Sequence, residues 1–171
     1  LEQPIAGTVD ALRAKPSRHL PTVLTKSEVQ AVLKHLPGVE HLVGQRLDGA
    51  GLRLHEGLAM RVKDIDFDRY EIVVRGGKGD KDRVTMLLAC VEPHLRAHLA
   101  IVKVQHQRDL ALGHGKVPLP TALDRKYPNA SQEWGWQFVF PASTLSRDPH
   151  AEDGVLYRWH VYESKIWIEA K

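Results

Sequence analysis

The chain has 171 residues, 43% hydrophobic and 26% charged, with 24 Lys and Arg against 21 Asp and Glu and a pI near 9.0. That is enough for one domain with a buried core, and the mildly basic balance admits a nucleic-acid partner without requiring one. The single cysteine, Cys90, excludes an internal disulfide and a multi-cysteine zinc site and makes a reducing cytoplasm the default, while no apolar run or leader pattern suggests a membrane span or export.

Residues 1–22 carry little periodicity. Arg13-Ala14-Lys15-Pro16-Ser17-Arg18-His19-Leu20-Pro21 is basic and interrupted by two prolines, so it reads as a linker after the end of an upstream unit. Such a linker either rides along a nucleic-acid backbone or is a solvated connector. The chain starts at Leu1 and is read as a piece of a longer product.

Thr25 and Glu28 have the spacing of a capping box, and Val29, Val32, Leu33 and Leu36 follow at helical intervals until Pro37-Gly38. A less regular helix is expected over Val39–Leu47. Arg46 and Asp48, at the end where burial is expected, are locally inconsistent with it. Gly49-Ala50-Gly51 should break this helix and present Arg53 at the head of a short helix over Leu54–Met60, with Glu56 one turn on to brace it.

Three strands follow by alternation, around Ile65 and Phe67, Ile72 and Val74, and Val84, Met86 and Leu88. Between the second and third, Gly76-Gly77-Lys78-Gly79-Asp80-Lys81 has a hairpin composition, giving an antiparallel meander with Lys78 at its tip. Residues 91–112 then read as a long helix with Val91, Leu95, Leu99, Val102 and Leu110 along one stripe. His94 and His98 have the spacing of two metal ligands. No acidic third ligand is suitably placed, so they are read as solvated surface histidines. After Gly113-His114-Gly115 the chain is rich in proline. A short helix near Thr121–Lys126, a strand at Phe138-Val139-Phe140 and a helical block over Val155–Lys171 are expected.

Arg53 and Lys78 are phosphate-compatible cations, one a planar fork and the other a point charge able to lend a proton. Gly77-Lys78-Gly79 is not a P-loop, because Ile72 stands where its first glycine belongs and no Ser or Thr follows Lys78. Composition leaves two readings of the Arg75, Lys78, Lys81 and Arg83 hairpin: a solvated loop or a nucleic-acid contact.

The strings Gly49-Ala50-Gly51-Leu52-Arg53-Leu54-His55-Glu56, Arg61-Val62-Lys63-Asp64-Ile65-Asp66-Phe67-Asp68 and Gly77-Lys78-Gly79-Asp80-Lys81-Asp82-Arg83 resemble the first half of the tyrosine recombinase catalytic domain. Leu119-Pro120-Thr121-Ala122-Leu123-Asp124-Arg125-Lys126-Tyr127-Pro128 and Phe138-Val139-Phe140-Pro141 look like the extra segment of the integron integrases, and the linker resembles the join between that family's DNA-clamping and catalytic domains. The resemblance implies an α+β fold: a mainly helical, partial catalytic domain over 23–171 with a small three-stranded antiparallel sheet and an insertion at about 116–160, preceded over 1–22 by the end of an upstream DNA-clamping domain and a basic linker.

The family breaks and rejoins DNA through a 3′-phosphotyrosine intermediate. By resemblance Arg53 would clamp the scissile phosphate, Lys78 would protonate the leaving oxygen and Glu56 would support the arginine. Arg75, Lys81 and Arg83 would touch DNA, and Trp136, Pro149, Trp159 and His160 fall near positions that hold bases swung out of folded single-stranded sites. Neither a cofactor nor a metal is implied, and the full-length parent would assemble as a homo-oligomer on DNA. Departures are clear: no H-x-x-R box occurs, so that box and the nucleophilic tyrosine are expected beyond Lys171, and Asp48 and Leu88 replace a usual tyrosine and proline. The alternative reading is a non-catalytic or decayed DNA-binding module.

Overall fold

The computed structural model describes residues 23–77, 79, 81–120, 123–147 and 156–157. Helix α1 (Lys26–His35) begins as the T-x-x-E spacing requires. The Thr25 backbone N–H donates to Glu28 Oε2 at 2.7 Å, and the Glu28 N–H donates back to Thr25 Oγ1 at 3.4 Å. No residue of α1 is buried. Val29, Leu33 and Leu36 are half-buried on the side facing α2 (Gly38–Ala50). A Cβ on Gly44 would come within 2.7 Å of Leu33 Cδ2, so this glycine sets how closely the two helices approach.

Helix α2 runs further than the Gly49-Ala50-Gly51 break suggested and stops only at Gly51, whose φ of 61° places it in the left-handed region. Gly49 stays helical beneath the Leu88 side chain, which a Cβ at that position would strike. Helix α3 (Leu54–Leu58) is a single short stretch after Arg53.

The expected meander is present, with β1 (Ile65–Asp66), β2 (Glu71–Val74) and β3 (Arg83–Met86) antiparallel in the order β1-β2-β3. Its inward face differs from the apolar pattern in β3. Ile72 and Val74 are buried, and the register places Thr85 and Arg83 opposite them, on the same face. Val84 and Met86 therefore point outward, 59% and 62% exposed, beside Val73 and Glu71. Directly opposed residues share a face, so the buried pair on β2 overrides the apolar residues of β3.

Helix α4 (Glu92–Ala111) buries Leu95, Leu99 and Val102 as expected, but the stripe then continues through His106 and Asp109. Leu110 is half-exposed instead. Unbroken 3.6-residue spacing leads from Val102 to 106 and 109, where the His106 Nε2–H donates to the Gln132 carbonyl at 3.0 Å while its Nδ1 has no partner among the described residues, and the Gln105 side-chain N–H donates to Asp109 Oδ1 at 2.9 Å.

The proline-rich stretch wraps onto this frame through α5 (Leu123–Lys126) and two 3-10 turns, Ala130–Gln132 and Trp134–Trp136. Phe138-Val139-Phe140 is buried but is not a strand. Phe138 makes one antiparallel bridge to Arg61, flanked by Val62 N–H to the Gln137 carbonyl at 3.0 Å and Val139 N–H to the Met60 carbonyl at 2.9 Å. The main core joins α2, α3, the sheet and α4 with Val139 and Phe140, and a satellite core holds Val117, Leu119, Ala130 and Phe138. Beyond it, β4 (Ser146–Arg147) pairs antiparallel with β5 (Leu156–Tyr157). The helix expected from Val155 is thus a strand at Leu156–Tyr157, and the remainder of that block and the 1–22 linker lie outside the described residues. Among the described residues no helix is long and apolar enough to cross a membrane.

Candidate phosphate-binding groove

Arg53 is presented by two backbone choices. Gly51 turns the chain out of α2, and Leu52, 6% exposed, fixes the next residue to the core. Arg53 itself sits in extended backbone ahead of α3, with 58% of its side chain exposed. Glu56 braces it as the spacing suggested: Oε2 accepts the Arg53 backbone N–H at 2.9 Å and Oε1 accepts Arg53 Nη1 at 3.1 Å.

The stronger partner of Glu56 is one that the sequence did not reveal. Arg83 donates Nη1 to Oε1 at 2.8 Å and Nη2 to Oε2 at 2.7 Å, a two-pronged guanidinium–carboxylate pair. The Glu56 side chain is only 8% exposed. The Arg83 hydrogen bonds hold its carboxyl at about 2; burial opposes them, and the Arg53 backbone N–H and the two arginine charges add to them. Arg83 Nη2 also lies 3.4 Å from the Gly51 carbonyl, and Thr85 Oγ1 donates to the Ala50 carbonyl at 2.9 Å. The inward polar residues of β3 thus hold the turn that carries Arg53.

Gly51, Arg53, Lys81 and Arg83 line an open groove of about 390 Å³. Below it the hairpin neck is closed by Gly77 N–H to the Lys81 carbonyl at 3.1 Å and Gly76 N–H to Asp82 Oδ1 at 3.0 Å. A Cβ on Gly77 would stand 2.9 Å from the Lys81 carbonyl oxygen, 3.2 Å from Arg83 Nη1 and 3.4 Å from Glu56 Oε1, so the neck is packed against the ion pair. Arg75 is engaged by carboxylates, its Nε donating to buried Asp64 at 2.7 Å and its Nη1 lying 3.6 Å from Asp82. Lys78, expected at the tip, lies outside the described residues. Two guanidiniums share one carboxylate here with Lys81 alongside, leaving net positive charge and open N–H groups on Arg53 to meet an anion with two free oxygens.

The base-holding candidates are placed unevenly. Trp136 is half-buried against the satellite core, with Lys63 Nζ 2.9 Å from its ring centroid. Its carbonyl accepts Arg61 Nη1 at 2.7 Å. Pro149, Trp159 and His160 lie outside the described residues.

Arg61 was not singled out in the sequence, since no local pattern signals which distant carbonyls it reaches. Its Nη2 donates to the Pro118 carbonyl at 2.7 Å and its guanidinium lies 4.1 Å from the Phe138 ring centroid. Burial brings its pKa down to about 10, opposed by the Asp64 charge. Gln137 is a second hidden anchor, its side-chain N–H groups directed at the carbonyls of Ser131, Glu133 and Gly115 at 3.1, 3.2 and 3.3 Å.

His98 is not the solvated histidine that the spacing suggested. Its Nε2–H donates to the Val139 carbonyl at 2.8 Å and its ring packs 5.1 Å from Phe140, so burial lowers its pKa. His94 is exposed, and no group of three or more potential metal ligands occurs among the described residues. Arg46 and Asp48 do not offset one another: Asp48 is exposed, whereas Arg46 is 3% exposed, with Nη2 on Met60 Sδ at 2.8 Å and its Nε and Nη1 unpartnered among the described residues.

No protein-family model matches the chain. Among curated proteins it is 47% identical over 151 residues to an integrase/recombinase of Escherichia coli and equally to one of Pseudomonas aeruginosa, covering 88% of this chain and 44% of each relative. It is 42% identical over 96 residues to the tyrosine recombinase XerA of Thermococcus kodakarensis, covering 53% of this chain and 34% of that protein. A crystal structure of XerA recombinase aligns with a TM-score of 0.43 at 26% identity, over 48% of this chain and 31% of the other. The chain therefore spans less than half the length of the integrase/recombinases it resembles.

Proposed function

From the sequence relationship of this chain to the tyrosine recombinase and integrase family, we propose that it is the DNA-binding front part of a catalytic domain that, in a longer parent, breaks and rejoins DNA through a 3′-phosphotyrosine bond. The observation that carries this reading is the groove of Gly51, Arg53, Lys81 and Arg83 built around Glu56. Arg53, braced and exposed, grips the nonbridging oxygens of the scissile phosphate, whose charge grows toward the transition state and is met by donors already in place. Lys78, by resemblance the family's hairpin lysine, protonates the leaving 5′-oxygen, a role that contributes about 10²–10⁴-fold. The nucleophilic tyrosine and the second arginine belong to the parent, as does assembly of several copies on DNA. Within the family, the integron-integrase-like segment at about 116–160 favours folded single-stranded sites, with Trp136, Pro149, Trp159 and His160 against extrahelical bases. Stacking of that kind is worth about 1–3 kcal/mol per base.

The test is a chimera that restores the missing C-terminal part from an integrase relative, assayed for cleavage of a hairpin site. Arg53→Ala and Lys78→Ala should each abolish cleavage, and normal cleavage by either would refute its assigned role. The second reading, a DNA-binding module without catalysis, is favoured by the buried and only partly partnered Arg46, which is costly to a selected fold. It is separated by the same chimera, which would bind the hairpin with steep salt dependence and never cleave it.

A further inference from the structure

Arg83 sits on the groove wall beside Arg53, and a basic residue there would ordinarily be assigned to phosphate. Its geometry points elsewhere. Each of its terminal nitrogens gives an N–H to Glu56, at 2.8 and 2.7 Å, and Nη2 also reaches toward the Gly51 carbonyl. Arg53 has only one side-chain contact to that carboxylate, the longer one at 3.1 Å. Glu56 is almost enclosed and has two oxygens to satisfy, so its demand for positive charge must be met by one arginine or the other.

We propose that Arg83 is a positioning residue: it occupies the Glu56 carboxylate so that the Arg53 guanidinium stays available to a DNA phosphate. This rests on the phosphate-clamp reading of Arg53. Without Arg83, the nearest cation to Glu56 among the described residues is Arg53, already in contact, and it would turn into the carboxylate as a fork of its own. The clamp would then be closed by its own brace. The arrangement also ties the hairpin that carries Lys78 to the turn that carries Arg53, because β3 leads directly out of that hairpin, Gly77 packs against the Arg83–Glu56 pair, and Thr85 holds the Ala50 carbonyl.

A positioning role for Arg83 and a direct phosphate contact predict opposite outcomes when the carboxylate is neutralised. The 171-residue chain is titrated onto a fluorescein-labelled DNA hairpin with two extrahelical bases, and anisotropy is read across a salt series. Arg83→Met should weaken binding about tenfold or more, the loss of a charge-assisted contact, and flatten the log affinity against log salt slope by about 0.9, one phosphate. Adding Glu56→Gln to Arg83→Met should restore both, since Arg53 is no longer captured. If Arg83→Met does not fold, as judged by its unfolding transition, Glu56→Gln/Arg83→Met is compared with Glu56→Gln alone, and the two should bind alike. A further tenfold loss in the double variant, or no rescue, overturns the proposal and assigns Arg83 to the phosphate. Arg53→Ala is the control for the underlying reading: unchanged binding in that variant sinks the clamp itself, whereas a loss there combined with no rescue sinks only the role of Arg83.

Discussion

Replacing Arg61 with Met should loosen the whole proline-rich wrap while leaving the helices and sheet assembled. Methionine keeps the aliphatic stem against Phe138 and removes the guanidinium. The loss is two hydrogen bonds from a charged donor, at 2.7 Å each to the carbonyls of Trp136 and Pro118, together with the face contact to Phe138 at 4.1 Å. Hydrogen bonds of that type are worth about 1.5–3 kcal/mol each and the ring contact about 0.5–1 kcal/mol at a partly open site. Against them stands the desolvation that lowers the Arg61 pKa to about 10, so a net loss of about 2–4 kcal/mol is expected. For a chain of this length about 1 kcal/mol corresponds to about 2–4 °C in Tm, which places the expected drop at roughly 5–15 °C. Urea unfolding followed by tryptophan fluorescence measures it, since Trp134 and Trp136 lie in the affected turn. Hydrogen exchange then localises it. The Val62 and Val139 amides, which bridge the wrap to the frame, should lose protection before the amides of β2 and β3. A change below about 0.5 kcal/mol, or equal loss of protection throughout the sheet, would refute the view that Arg61 anchors this segment.

Two further outcomes follow from buried charge. Arg46→Met should raise stability by about 1–3 kcal/mol, because it removes a guanidinium whose Nε and Nη1 are unpartnered among the described residues while keeping contact with Phe140; an unfolding midpoint that falls would mean that the charge is compensated. Glu56 has a folded pKa depressed from 4.5 to about 2, so its contribution is complete above about pH 4.5 and disappears as pH falls through about 2. The stability gap between the chain and its Glu56→Gln variant should therefore be flat at neutral pH and close across that acidic window. A gap that stays constant down to pH 2 would show that the carboxylate charge is not what Arg83 and Arg53 hold.

The places where sequence reasoning succeeded share a local cause. The capping box of α1 needs only Thr25 and Glu28 three residues apart, and the Arg53–Glu56 brace needs only one helical turn, so both are written in short spacing. The strand meander needs only alternation and a Gly-rich turn. In β3 the alternation is present and the face is reversed. Nothing between residues 83 and 88 tells which side the core lies on; the burial of Ile72 and Val74 on the neighbouring strand decides it. The burial of His98 is equally invisible in local spacing, because its acceptor is a carbonyl 41 positions away.

What the sequence determined by itself was thus the set of local elements, the turn that exposes Arg53, and through its longer strings a resemblance to the integrase/recombinases. Tertiary structure alone decided the company of the charges whose partners lie far along the chain. It turned Arg83 inward onto Glu56, drew Arg75 to Asp64, and sent Arg61 to carbonyls 57 and 75 positions away. The physical reason is that a charge can be satisfied by any complementary group within about 3 Å, whatever its distance along the chain. Periodicity reports which side of an element is apolar, and it carries no record of which distant donor or acceptor will be folded against it.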